Sequence, residues 1–427
     1  MNLKNKKIAI IGGGFSGLAV AYNLLQSNQQ IVIDIFDDEN FVNSGKAYTT
    51  QDFRHILNVP ADKMGLSFAD EKHFYKWLKQ NHHPEIAKDN FAPRPLYRLY
   101  LQEILGELQK NSAINFINEQ ISQIKFLDGN YVLTNNSELS KQYDFVVLAC
   151  GLKIKNLPAN FRSKKIIDNI WQYLNLKQLP ESGTVLIAGT GLTMVDAVLS
   201  LKNNGFTGKI IACSGSAKLP LSHSATRNKA LKTLEIADAN LPLSQILYRL
   251  KTAAKKAEDW RDIMHGLRSI TQQFWQELTL NKKRQFLRHL MSLWSIHRHR
   301  IARENSDQIV EMIAAGKLEI VKGRLKKLEE QNQQILATLN NHKTIAADLV
   351  LNAMGFDYSY QKSKLLINLI EQKIIAHHET GLGFKVLKTH PNFYLVGSIL
   401  TGELLEITAV PELRILAHQI ALKISAL

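Results

Sequence analysis

Two strand, glycine-turn, helix patterns in one chain, at residues 8–22 and 183–201, predict an α/β fold, and a strand-free helical stretch over 226–312 interrupts the second. Together they describe two Rossmann-like dinucleotide-binding domains with a helical insertion. The first pattern reads "IAIIGGGFSGLAVAY": an apolar run enters a glycine-rich turn and leaves as an alanine- and leucine-rich helical pattern. Gly12, Gly14 and Gly17 have the G-x-G-x-x-G spacing, with Ser16 in the same turn. The first glycine permits the tight turn, the second lets backbone N–H groups approach a pyrophosphate, and the third lets helix pack on strand. A second apolar run, residues 31–36, ends at Asp37, an acid placed to accept hydrogen bonds from an adenosine ribose.

At 427 residues and 45% hydrophobic composition, the chain can bury the cores of two or three domains. No run approaches the length of a membrane span, and the charged start leads directly into a strand, so neither a transmembrane helix nor a signal peptide is expected. Cys150 and Cys213 are far apart in apolar contexts, which points to a reduced, cytoplasmic setting and away from a disulfide or zinc framework. No metal site is expected. The net charge of +15 suits nucleic acid, an anionic membrane or an anionic small molecule, and charge alone does not choose among them.

After the first unit come "GKAY" (45–48) and "HILNVPADKM" (55–64), a loop in which Asn58 is a candidate contact near a flavin ring. Residues 70–80 and 95–110 read as amphipathic helices, and a β-rich stretch follows, with a hairpin around 128–130. It ends in "YDFVVLACG", an apolar strand closing on Gly151; a second such exit, "DLVLNAMG", closes on Gly355. Between them, "GTVLIAGTGLTMVDAVLSL" supplies Gly189, Gly191 and Thr193, but Met194 stands where a third glycine would. The next strand ends in "SGS" with no acid; Ser214, Ser216 and Lys218 are instead suited to a 2′-phosphate, which favours NADPH over NADH.

Residues 249–303 hold 13 Lys and Arg against four acids, together with Trp260, Trp275 and Trp294. Basic and aromatic interleaving is compatible with nucleic acid, but a solvated helical face above a tryptophan-containing core is the favoured reading, so no nucleic-acid partner is expected. The histidines of "WSIHRHR" do not share a helix face as ligands would, while Arg298 and Arg300 suit an anionic substrate or a cofactor phosphate. Residues 318–339 read as a hairpin. Residues 392–397 read as a buried strand ending at Gly397, and the following "GELLEITAVPELRILA", with Glu406 and Thr408, leads into a terminal helix opened by Pro411. In flavin folds such a strand and helix deliver N–H groups to the flavin's ribityl chain and pyrimidine edge.

These stretches, with "FAPRPLYRLYL", "WRDIMHGLRSITQQFW" and "FLRHLMSLWSIHRHRIA", run through nearly the whole chain in order. In them the sequence resembles the YdhS-like FAD/NAD(P)-binding proteins, two-dinucleotide-domain flavoproteins related in architecture to flavin monooxygenases. The resemblance implies FAD on Gly12, Gly14, Gly17 and Asp37, and a nicotinamide nucleotide near Gly189, Gly191 and Thr193. It departs from related flavoproteins at Gly215 and Ser216, where paired arginines are usual, and at Gly397-Ser398, where Gly-Asp is common. The implied arrangement places the FAD domain at 1–180 and 340–427 and the NAD(P) domain at 181–339, with an insertion over 226–312 that caps the cleft. Four functions compete: an FAD-dependent NAD(P)H oxidoreductase of monooxygenase type acting on a small, anionic organic substrate; a reductase without oxygenation; a flavin-binding regulatory module using its basic helices; and a structural nucleotide-binding subunit. A Baeyer-Villiger-type fingerprint is met only at Phe161 and Trp171, with Ser163 and Ile167 in place of its glycine and histidine. A disulfide reductase is disfavoured for want of a cysteine pair. Asn58, His223 and Arg298 are the candidates for the reacting face. Oligomeric state is open.

Overall fold

A computed structural model of the chain describes residues 6–27, 31–37, 48–81, 83–138, 140–170, 181–226, 229–359 and 363–426. Gly45 and Trp171, from the loop and fingerprint above, lie outside the described residues. The chain divides into two units: Met1–Thr49, Val59–Lys153 and Tyr358–Leu427 form the first, Thr50–Asn58 and Ile154–Asp357 the second.

The first unit is built on a parallel sheet. Its strands lie in the order Phe393–Leu395, Phe145–Leu148, Lys6–Ile11, Ile31–Phe36, Ile114–Ile117, so the strand that feeds the first glycine turn is central. A central parallel strand is covered on both faces, which is why Ile8, Ala9 and Ile10 are all fully buried rather than alternating. Helix Phe15–Leu25 follows the turn, and helix Val410–Ser425, with Pro411 in its first turn, packs along it. A three-stranded antiparallel sheet, Ile121–Leu127, Asn130–Asn135 and Ser140–Tyr143, interrupts the parallel topology. Asp128 and Gly129, at φ 49° and 83°, make its first turn, the left-handed pair a tight hairpin needs.

The second unit repeats the plan. Its parallel sheet runs Leu318–Lys322, Lys209–Ser214, Thr184–Ala188, Leu349–Asn352, Ile166–Ile167. Strands 166–167 and 349–352, which the sequence boundaries group with the first domain, are here hydrogen-bonded into the second sheet. The hairpin also lies later than the sequence suggests. Leu318–Lys322 pairs in parallel with Lys209–Ser214, and Leu325–Gln331 with Gln334–Leu339 makes the antiparallel turn. The basic helices fall between the neighbouring strands Lys209–Ser214 and Leu318–Lys322, as an enlarged crossover. Helix Arg303–Ala314 returns it to the sheet by burying Ile309 and Met312 in the same core as Val195 and Val198. Trp275 is 2% exposed and Trp294 packs against Leu234, Ile246 and Leu267, so both tryptophans serve the packing.

Candidate functional sites in the two units

In the first turn, Gly12 is required by the protein itself. Its φ is 111°, its N–H donates to Phe36 O at 2.7 Å, and a Cβ there would lie 2.4 Å from Ala149 O. Gly17 is required for packing: a Cβ would meet Gly12 O at 2.0 Å and Ile10 Cγ2 at 3.1 Å. Gly14 is different, since it caps helix Phe15–Leu25 in an extended conformation that any residue adopts. Asp37 accepts the Gly13 N–H on Oδ2 at 2.6 Å, so the acid that ends the second strand also ties down the turn. Ser16 Oγ lies 3.2 Å from where a Cβ on Gly397 would stand, and Gly397 itself has φ 95°. The turn and the strand end Phe393–Leu395 thus meet at one edge of the sheet. Gly151, at φ 64°, closes strand Phe145–Leu148 with open space around it. Glu406 is buried at φ 67°, a conformation non-glycine residues rarely hold, and exposed Thr408 donates its N–H to Glu406 O at 2.7 Å. The residues fit a dinucleotide: Gly12 and Gly17, where a Cβ would clash, build the turn, and Gly151 leaves open space at the end of the neighbouring strand.

In the second unit Gly189, at φ 125°, repeats Gly12: its N–H donates to Cys213 O at 2.8 Å and a Cβ would lie 2.2 Å from Ala353 O. Met194, in place of the third glycine, is fully buried in the sheet core. Gly191 has an ordinary φ of −89° and nothing within 4 Å of a built Cβ. Neither strain nor packing asks for glycine there, at the cap of helix Leu192–Asn203, whose first turn carries Thr193, and the space beside it is open to the close approach of a ligand. Gly191→Ala is accordingly expected to cost no more than about 1 kcal/mol of stability while weakening NADP+ binding about tenfold; thermal melts and NADP+ titration check this. Gly355, at φ 81°, also faces open space.

At the end of strand Lys209–Ser214 the Ser214 hydroxyl is engaged within the turn, 2.8 Å from Thr190 Oγ1 and accepting the Ala217 N–H at 3.0 Å. Lys218 is exposed, and its carbonyl accepts from Thr190 Oγ1 at 2.8 Å. Sequence reading missed one cation at this turn. Arg324, from the loop after strand Leu318–Lys322, lies over Gly215, with its Nε 2.7 Å from where a Cβ would be. The signal was the bare Gly215 itself, which leaves room for an arginine arriving from elsewhere in the chain.

The segment Thr50–Asn58 is fastened within the second unit. Buried His55 bridges Thr50 Oγ1 at 2.7 Å and Ser200 Oγ at 2.6 Å, and Arg54 Nη1 donates to Asn203 O at 3.1 Å. This brings Asn58 to His223, whose Nε2 lies 3.0 Å from the Asn58 carbonyl oxygen. A carbonyl only accepts, so Nε2 carries the proton. Burial, and then the charges of Arg300, Arg261 and Arg298, push the His223 pKa down to about 3, so its ring is neutral at physiological pH. Asn58, His223 and Arg298 are therefore electrostatic neighbours within one unit.

Cys213 is buried, and burial pushes its thiol up to about 11; Cys150 is exposed, at the end of strand Phe145–Leu148. Among the described residues no group of three or more His, Cys, Asp or Glu is placed to hold a metal ion, and no helix is long and apolar enough to cross a membrane.

Residues 9–153 match the family described as FAD-NAD(P)-binding. YdhS of Escherichia coli (strain K12) is 21% identical over 215 residues, a match spanning 46% of this chain and 39% of that protein. Among solved structures, the ornithine N-hydroxylase KtzI of Kutzneria sp. 744 superposes with a TM-score of 0.67 at 13% identity over 99% of each chain. The ornithine hydroxylase PvdA of Pseudomonas aeruginosa gives 0.66 at 13% identity, and the bacillithiol disulfide reductase Bdr of Staphylococcus aureus 0.59 at 13%, each over 99% of both chains. Residues 9–153 are therefore similar to an FAD-NAD(P)-binding domain, the chain is distantly similar to part of YdhS, and its fold is shared by ornithine hydroxylases and a bacillithiol disulfide reductase.

Proposed function

We propose that this chain is an FAD-dependent NAD(P)H oxidoreductase that oxygenates a small, anionic organic substrate. The observation that carries the choice of oxygenation is the state of the cysteines. The similar structures divide between hydroxylases and disulfide reductases. Thiol–disulfide exchange needs an accessible thiolate, and the buried Cys213, with its raised pKa, cannot supply one. Cys150 stands without a second cysteine near it in sequence.

The first unit, in this reading, holds FAD: Gly12 shapes the turn, the N–H groups at Gly14 and Ser16 receive the pyrophosphate, and Asp37, already fixed by Gly13, turns its carboxylate to the ribose. Gly151, Gly397, Glu406 and Thr408 supply backbone contacts to the rest of the flavin. The second unit holds the nicotinamide nucleotide at Gly189, Gly191, Thr193 and Gly355. Arg324, with Ser214 and Lys218 beside it, meets the 2′-phosphate, which favours NADPH while leaving NADH usable. The flavin, when bound, supplies hydride and dioxygen chemistry. His223 takes no part as an acid, because its ring is neutral; Nε2–H holds the Asn58 carbonyl, and the Asn58 amide is thereby oriented. Arg298 contributes a positive charge beside them.

The test is NADPH consumption with and without dioxygen. Oxygen uptake that rises when a panel of small carboxylates and amines is added is expected; turnover that is equally fast without oxygen, using a disulfide as acceptor, would refute oxygenation. In the same assay Arg324→Ala is expected to raise the KM for NADPH about tenfold, the worth of a charge-assisted contact, with KM for NADH unchanged.

A further inference from the structure

Arg300 is buried, 6% exposed, yet its Nε and Nη1 have no hydrogen-bond partner. Its position is set by the backbone. The next residue, Ile301, donates its N–H to Leu221 O at 3.0 Å and accepts the His223 N–H at 2.8 Å, a short parallel bridge that fixes residue 300 beside His223. Two guanidinium groups lie over the Trp260 ring, with Arg261 Cζ 4.6 Å and Arg300 Cζ 5.9 Å from its centroid. His297 meets the same ring edge-on at 4.8 Å.

The acid nearest these cations is committed elsewhere. Asp259 caps helix Trp260–Leu267 by accepting the Arg261 N–H at 2.9 Å, and pairs with Arg261 Nη1 at 3.1 Å. Arg261 spends its Nε and Nη2 on the Ser222 carbonyl, at 2.8 Å, and hydroxyl, at 3.2 Å. Arg300 is thus left buried where Arg298, Arg261 and Arg268 outnumber the one acid acting on it, Asp259. Burial, then Arg298 and Arg261, push its pKa down to about 10, which still leaves it ionised at neutral pH.

A buried charge with unpaired N–H groups is destabilising. The Trp260 ring offsets part of that cost but offers the N–H groups no acceptor. An apolar or neutral residue would pack here at less cost, so the arginine points to an acceptor brought from outside. A planar guanidinium matches the oxygens of a carboxylate or phosphate and discriminates against spherical anions.

We propose that Arg300, flanked by Arg261 and Arg298 and walled by the Trp260 ring, binds the oxyanion group, carboxylate or phosphate, of a small organic ligand. This site deepens the proposed function by naming the anionic end of its substrate or nucleotide, and rests on that reading only for the ligand's identity. Binding at Arg300 requires no turnover, so the two can fail separately.

The test uses the purified full chain with its cofactor as isolated, in an anion-poor buffer, titrated calorimetrically and by tryptophan fluorescence with inorganic phosphate, succinate, benzoate, NADP+ and NAD+. Saturable binding of at least one oxyanion probe is expected, lost about tenfold or more in Arg300→Gln and less in Arg300→Lys. Competition of phosphate with NADP+ but not NAD+ identifies a nucleotide phosphate; competition with succinate or benzoate alone identifies a substrate carboxylate. A thermal melt guards against simple misfolding: without a probe, Arg300→Met is expected to melt no lower than wild type, because it removes an uncompensated charge, and added probe should raise the melting temperature of wild type alone. The proposal falls if no probe binds the wild type, if Arg300→Gln binds as tightly, or if Arg300→Met melts well below wild type without a probe.

Discussion

Gly17→Ala is expected to destabilise the first unit itself rather than only lower its cofactor affinity. A Cβ at residue 17 would lie 2.0 Å from Gly12 O, inside any tolerated contact, and the obstructing atom is backbone in a turn that Gly12, at φ 111°, already holds in a conformation only glycine adopts easily. Relief requires helix Phe15–Leu25 to lift from the strand Lys6–Ile11, where Leu18, Ala21 and Leu24 are buried. Overpacking of this kind costs about 3 kcal/mol or more, a fall of roughly 10 °C in melting temperature. Added FAD should not rescue it, because the clash is internal. Denaturant melts with and without FAD measure this; a Gly17→Ala protein of wild-type stability that has lost only its flavin would show that the glycine serves the ligand instead.

The second large effect concerns acid. His223 has a pKa of about 3 in the folded protein against an ordinary 6.5. Its neutral ring therefore contributes stability that is complete above the unfolded value and is lost as pH falls from there through the folded value, since the unfolded chain takes up the proton first. Between about pH 6.5 and pH 5 the loss for a ring this partly buried is about 1–2 kcal/mol. His223→Gln keeps a donor for the Asn58 carbonyl but cannot titrate. Urea unfolding of the two proteins across this range should show the wild type losing stability more steeply than the variant; parallel curves would mean that the ring is solvated or charged in the folded state.

The sequence displayed those parts of the sites that are local. Gly12, Gly17 and Asp37 lie in one βαβ unit: Gly12 makes the tight turn and Gly17 the close packing that the spacing predicts, and Asp37 ends the second strand beside that turn, accepting the Gly13 N–H. Gly189 was equally readable, and the burial of Met194 explains why the second turn tolerates a large side chain where the first needs glycine. Contacts closed by the fold were hidden. Arg324 reaches Gly215 only because strand Leu318–Lys322 pairs in parallel with Lys209–Ser214 across the whole helical insertion, and sequence periodicity had read the former as one arm of a hairpin. Likewise "WSIHRHR" announced a cationic cluster, but not which arginine would be buried without acceptors, since that depends on Asp259 and Ser222 being taken by Arg261.

The strand order of the first sheet also dictates when it can be finished during synthesis. Lys6–Ile11 leaves the ribosome long before its sheet can be completed, since the strand beyond Phe145–Leu148 is Phe393–Leu395, and the helix that covers Phe15–Leu25 is Val410–Ser425. Everything from Ile154 to Asp357 belongs to the other unit and emerges in between. At ordinary elongation rates the nascent first unit waits roughly ten to fifty seconds with an open sheet edge and an uncovered helix. The second unit, already holding Thr50–Asn58, has its full complement of residues before that wait ends. The first unit, though its first strands are made early, is thus the later to mature, and it is the part that would need shielding by a chaperone while the ribosome completes the rest.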